Sequence, residues 1–243
     1  LGRTLLHQIE EPFPRDDDLD KLRARLASHL RGRTRLTEAT IEVGGCVYRV
    51  THPAAADALI DEEDFARDER LPYWAELWPS AVALARRISG ESLAGRRVIE
   101  LGCGIGLPAV VALAGGAGVT ATDHYEAALD FVRYNARVNL GVHEPEVRLL
   151  DWHAHEAGGL GLFDLVLAAD VLYEARNVQS LAALIPALLA PGGELLLADP
   201  RRKDTPYFLE EMLERGFRSS TEDHATLSGD REVVVLVHRL RRD

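Results

Sequence analysis

With 243 residues, 47% of them hydrophobic, the chain can bury one sizeable core, and the expected organisation is one main domain, residues 71–243, behind an N-terminal extension, residues 1–70. Its 39 acidic against 28 basic residues leave a formal net charge of -11, which disfavours long-range attraction to phosphates and argues against a nucleic-acid partner. Cys46 and Cys103 are too few for a disulfide framework or a thiolate metal site and suit a reducing cytoplasm, and neither a signal peptide nor a membrane span is expected. The first residue is Leu1 rather than Met, which leaves the natural start open.

In chain order, Leu19, Leu22, Leu26 and Leu30 recur at helical spacing behind Asp16, Asp17 and Asp18, predicting an amphipathic helix from Asp16 to Gly32 that lies on the core. Ala39–Val43 and Cys46–Val50 flank Gly44 and Gly45, a hairpin signature. The acidic run Asp61 to Asp64 reads as a solvated helix start. Leu71 to Ser80 then concentrates two of the three tryptophans, Trp74 and Trp78, between Pro72 and Pro79. The rings either fill the crossover between hairpin and core or offer an indole face to a ligand. A helix from Ser80 to Ser89 follows.

Val98, Ile99 and Leu101 form a short apolar strand, and Gly102, Gly104 and Gly106 separate it from a helix over Leu107 to Ala114. Glycines there let the backbone take positive φ and let a small ligand lie against it. Gly118 to Asp123 reads as the next parallel strand, ending on a carboxylate about 20 residues after the glycine loop, where doubly wound sheets use an acid to bind ribose hydroxyls. A nucleoside is the implied ligand. A dinucleotide fingerprint would need a third glycine at Leu107, so a nicotinamide site fits poorly. A helix over Tyr125 to Leu140, a strand Val147 to Trp152, a strand Phe163 to Tyr173, a helix Asn177 to Leu189, a strand Glu194 to Asp199, a helix Phe208 to Arg215 and a strand Glu232 to His238 complete the pattern. Ligands in open parallel sheets bind beyond the carboxyl ends of the strands, so Glu100, Asp123, Asp151 and Asp170 should converge on one rim. Asp151, His153 and His155 lack the further ligands of a metal site, and no Gly-x-Ser-x-Gly turn supports covalent catalysis.

Glu100-x-Gly102-x-Gly104-x-Gly106 resembles motif I of the seven-β-strand S-adenosylmethionine methyltransferases. Pro72-Tyr-Trp-Ala-x-x-Trp-Pro79, Asp170-x-x-Tyr173 and Asp199-Pro-x-Arg202 further resemble family 16 of that fold, whose members include protein-lysine methyltransferases, over about Leu71 to Arg202. These motifs look most like the enzymes acting on the electron-transfer flavoprotein β subunit, while the glycine loop is closer to other members. The resemblance implies a Rossmann-like, doubly wound seven-stranded α/β sheet of the class I methyltransferase type, with the last strand inserted antiparallel. It implies S-adenosyl-L-methionine as cofactor, held by Trp78, Glu100, Gly102, Gly104, Gly106, Asp123, Asp151 beside the adenine amino group, and Trp152. It implies Asp170 and Tyr173 at the substrate entrance, with Asp170 holding the incoming ammonium. The expected activity is N-methylation of a lysine side chain in a protein, with a small-molecule N-methyltransferase, a noncatalytic nucleoside-binding module and a NAD-dependent enzyme as alternatives.

Overall fold

The computed structural model describes residues 17–60, 71–154 and 159–242. The acidic run Asp61 to Asp64 and His155 lie outside them. The extension forms α1 (Asp17–His29) and a hairpin, β1 (Leu36–Val43) and β2 (Cys46–Pro53), joined through Gly44 and Gly45 at φ 59° and 78°. Two successive positive φ values define the turn whose twist matches a two-residue hairpin, and glycine reaches both without strain.

The main unit alternates helix and strand: α2 (Pro79–Ile88), β3 (Arg97–Leu101), α3 (Leu107–Ala114), β4 (Gly118–Asp123), α4 (Glu126–Leu140), β5 (Glu146–Leu149), β6 (Phe163–Ala169), α5 (Ala175–Leu188), β7 (Leu189–Asp199), α6 (Thr205–Glu214), β8 (Phe217–Ser228) and β9 (Arg231–Arg242). These strands make one seven-stranded sheet in the order β5-β4-β3-β6-β7-β9-β8. The first five are parallel, and β9 runs antiparallel between β7 and β8. Strand order reverses between β3 and β6, which opens a crevice at their carboxyl ends.

Side-chain alternation along the strands divides the core in two. Val98, Leu165 and Leu167 face Leu84, Val110 and Phe131 of α2, α3 and α4, while Ile99, Leu101, Val166 and Ala168 face Leu181, Ile185, Phe208 and Met212 of α5 and α6. Helices therefore cover both faces, as the βα alternation predicts. No helix among the described residues is long and apolar enough to cross a membrane.

β8 is the element without a sequence signal. Paired only with β9 and exposed over most of its length, Phe217–Ser228 needs no apolar alternation and reads as a polar loop. Other differences lie at boundaries: β5 stops at Leu149, and β6 stops at Ala169, three residues before Leu172 and Tyr173 turn toward α5.

The extension is joined to the glycine loop by one side chain. Asn135, 1% exposed on α4, accepts the Thr51 N–H at 2.8 Å and donates to the carbonyls of Thr51 (3.0 Å) and Ile105 (2.8 Å). Beside it Asp130 takes both Arg25 (2.6 Å) and His29 (2.7 Å) of α1. Leu26 and Leu30 are buried in the same core cluster as α4.

Candidate active site

β3 ends at Leu101, and the loop that follows passes over the carboxyl edge of the sheet with Gly102 at φ 67° and Gly106 at φ 85°. A Cβ on Gly102 would lie 2.9 Å from the Trp152 ring, and one on Gly106 would lie 2.1 Å from Val132 Cγ2. The glycines at these two positions thus admit protein side chains as well as a turn, a closeness that spacing alone does not reveal.

Asp123, at the end of β4, organises the loop. Its Oδ2 accepts the Gly104 N–H and its Oδ1 the Tyr125 N–H, each at 3.0 Å, and it is 6% exposed. Burial outweighs these bonds and pushes its carboxyl up to about 6. Glu100, next to last in β3, is 1% exposed, and burial pushes its carboxyl well above the usual range against the Ala109 N–H that it accepts, with Asp123 adding to the rise. Its Oε2 has no protein partner among the described residues, and neither does Trp152 Nε1. Asp151 accepts the His153 N–H at 2.9 Å, and the His153 ring in turn meets Ser180 Oγ at 2.9 Å.

All ten residues predicted from the sequence, Trp78, Glu100, Gly102, Gly104, Gly106, Asp123, Asp151, Trp152, Asp170 and Tyr173, line a single cleft of about 280 Å³. Both tryptophans of the 71–80 segment line the cleft. Trp74 also packs into the core, with the Phe131 and Tyr125 centroids 5.5 and 6.3 Å away, whereas Trp78 is partly exposed and its Nε1 donates to the Tyr73 carbonyl at 2.7 Å. Tyr73 stands 5.0 Å from Tyr173 and 6.0 Å from Trp78 between ring centroids, so three rings wall the mouth. Burial, with Glu174 and Asp123 nearby, raises the Tyr173 hydroxyl far above its ordinary range, so it stays neutral.

One residue at the mouth acquires a role that its spacing did not carry. Arg202 donates from Nε to Asp170 Oδ1 (2.7 Å) and from Nη2 to Asp170 Oδ2 (3.0 Å), a bidentate pair across adjacent strand ends. The sequence reading leaves Asp170 open to an ammonium; in the structure a guanidinium already holds both of its oxygens. Asp199-Pro-x-Arg202 was the visible signal, but nothing in it names the partner.

An unpartnered Glu100 Oε2, an unpartnered Trp152 N–H donor, an aromatic wall and a carboxylate on the glycine loop suit a ligand with hydroxyl and amine groups and a planar base, so the cleft fits an adenosyl cofactor. A doubly wound sheet of this order, with its antiparallel β9 and a cleft at the β3–β6 switch point, is that of a class I methyltransferase. Magnesium protoporphyrin IX methyltransferase from Synechocystis PCC 6803, crystallised with bound SAM, shares this fold at a TM-score of 0.51 and 22% identity over 66% of this chain and 76% of its own. Putative transferase PH0793 from Pyrococcus horikoshii does so at 0.53 and 17% over 93% and 85%.

The lysine methyltransferase family model matches residues 66–215, and the chain belongs to that family. It is 36% identical to mouse protein N-lysine methyltransferase METTL21A over 60% of this chain and 69% of that protein. It is 30% identical to mouse EEF1A lysine methyltransferase 3 over 71% and 74%. Against the Xenopus laevis electron transfer flavoprotein beta subunit lysine methyltransferase it is 33% identical over 54% of this chain and about half, 53%, of the relative.

Proposed function

We propose that the cleft holds S-adenosylmethionine and that the protein transfers its methyl group to a lysine side chain of a protein substrate entering past Tyr173 and Asp170. The carrying observation is that the acid-lined glycine loop and the Asp170-to-Tyr173 mouth open into the same cleft, in a chain of the lysine methyltransferase family.

S-adenosylmethionine supplies a methyl group already activated on a sulfonium. This chain's task is therefore to bind, orient and dry the site. Asp123, fixed by two loop N–H groups, keeps spare lone pairs for sugar hydroxyls. Glu100 offers its unpartnered Oε2 as an acceptor, and Asp151 and Trp152 hold the base. Tyr73, Trp78 and Tyr173 exclude water at the mouth, and their ring faces favour a cation passing between them. Asp170 orients the acceptor nitrogen through lone pairs that Arg202 leaves open, and desolvation between the rings favours the uncharged amine that attacks. Residues 71–243 form the catalytic unit in this reading, and β2 of the extension is tied to α4 and the Ile105 carbonyl through Asn135.

The electron-transfer flavoprotein β subunit is the first acceptor to test, because one relative is named for it. A cytoplasmic site of action is part of the proposal, supported by two cysteines that are both unpaired. Incubation of the protein with methyl-labelled S-adenosylmethionine and a depleted lysate should place label on a lysine Nε of one or a few proteins. Label confined to small amines would replace the protein acceptor by a small-molecule one, and no label in either fraction would refute the activity.

A further inference from the structure

The Asp170–Arg202 pair is built from both sides. Asp170 follows β6 in the left-handed region, at φ 56°, with its N–H donating to the Ala198 carbonyl at 2.8 Å and its side chain only 6% exposed. Asparagine and aspartate reach that conformation more readily than other non-glycine residues. Arg202 follows β7 after Arg201, also left-handed at φ 69°, and its own N–H donates to the Asp199 carboxylate at 3.0 Å. Two unusual backbone turns thus aim a carboxylate and a guanidinium at each other on the wall of the cleft.

That arrangement bears on the protonation of the acceptor. A lysine amine is charged at neutral pH, with an ordinary pKa near 10.4, and only its uncharged form has the lone pair that attacks a methyl group. An unpaired carboxylate at the mouth would hold the ammonium and raise that pKa. A carboxylate neutralised by arginine does not, yet its remaining lone pairs still accept an N–H. We propose that Arg202 is a positioning residue that cancels the charge of Asp170, so that the cleft receives the acceptor lysine as the neutral amine. The inference rests on the lysine-methyltransferase reading above.

Other charged and titratable groups face the pair. Asp199 and His238 lie behind it on β7 and β9, and the Tyr73 hydroxyl approaches the guanidinium. Tyr173, Glu174 and Arg176 line the α5 side of the cleft, and Asp123 and Glu100 lie deeper in it. Burial raises the Asp199 carboxyl and lowers His238 from their ordinary ranges. It pushes the Asp123 carboxyl up to about 6, below the alkaline range.

The test is the pH dependence of kcat, with KM followed alongside, from pH 6.5 to 9.5, with the acceptor protein captured by labelling, for wild type, Arg202→Gln, Arg202→Lys and the Asp170→Asn/Arg202→Gln double variant. In Arg202→Gln the bare carboxylate should hold the acceptor as ammonium. Its KM should not rise, its kcat should fall about tenfold at pH 7.5 and recover by pH 9.5, and the rising limb should move about one pH unit upward. Arg202→Lys should return the limb toward its wild-type position. The double variant, an uncharged pair of nearly the same shape, should do so fully even if its rate is lower. Calorimetric affinity for S-adenosylhomocysteine should be unchanged throughout, and a Tyr73→Phe variant should keep the wild-type limb. Rates that fall equally at every pH with the limb unmoved, or a double variant whose limb stays with Arg202→Gln, would overturn the role of Arg202. A wild-type enzyme that labels no lysine would instead overturn the activity on which it rests.

Discussion

Between pH 4 and pH 7 the ligand-free Asp123→Asn protein should gain about 3 kcal/mol of stability relative to wild type, while its hold on the cofactor weakens. Burial raises the Asp123 carboxyl from the ordinary 3.8 to about 6 in the folded state. Below pH 3.8 the group is protonated folded and unfolded alike, and folding carries no penalty. Between 3.8 and 6 the unfolded chain releases the proton and the folded one keeps it, so stability falls as pH rises. At 1.36 kcal/mol per pH unit the loss totals about 3 kcal/mol and is complete above pH 6. A neutral amide titrates nowhere, but its Nδ2 cannot accept one of the two N–H groups that Asp123 accepts, so the variant should start about 1–3 kcal/mol below wild type at pH 4 and gain about 3 kcal/mol on it by pH 7. Burial, the first cause of the raised Glu100 carboxyl, is common to both proteins, and the Asp123 charge is the smaller cause. Urea unfolding at pH 4 to 7.5 without ligand measures that difference directly. Parallel stability curves for the two proteins would show that Asp123 is not a strained carboxylate kept for a ligand.

Three further outcomes follow from the packing. Asn135→Ala should cost about 3 kcal/mol, since it strands the Thr51 N–H and two carbonyls in the interior, and hydrogen exchange should rise in both the hairpin and the glycine loop. Gly106→Ala should cost about 2–5 kcal/mol from left-handed strain plus the collision with Val132, whereas Gly45→Ala, at φ 78° in the hairpin turn with nothing within 4 Å, should cost only about 1–2 kcal/mol. Thermal melts of the two variants compare them, and equal losses would remove the packing argument. Glu194, held below its ordinary range by Arg241, Arg239 and Arg96 despite its burial, should stabilise the fold at neutral pH. That contribution should fade as acid titrates the carboxylate, so Glu194→Gln should flatten the acid limb of the stability profile.

The parts of this account that were legible in the sequence are those written in local pattern. Apolar runs of strand length, glycines beside Asp123 and acids at strand ends marked the parallel half of the sheet and the glycines and acids of the cleft, because each depends on neighbours within a turn or two, whereas Trp78, Trp152 and Tyr173 entered through the family resemblance. β8 was silent because an edge strand exposed on most positions has no alternation to read. That Trp74 serves core and cleft at once was hidden, because Phe131 reaches it from α4. Arg202 was visible as a motif residue but not as the partner of Asp170, since their pairing depends on β6 and β7 lying side by side and on two left-handed turns. The link from hairpin to glycine loop through Asn135 likewise joins residues 84 and 30 positions apart, beyond any local signal.

Isothermal calorimetry with S-adenosylmethionine, S-adenosylhomocysteine and NAD tests the central claim most directly, run on wild type and Asp123→Ala. The cleft described here predicts micromolar binding of the first two to wild type, marked weakening in Asp123→Ala and no response to NAD. Preference for NAD, or undiminished S-adenosylmethionine binding by Asp123→Ala, would contradict it.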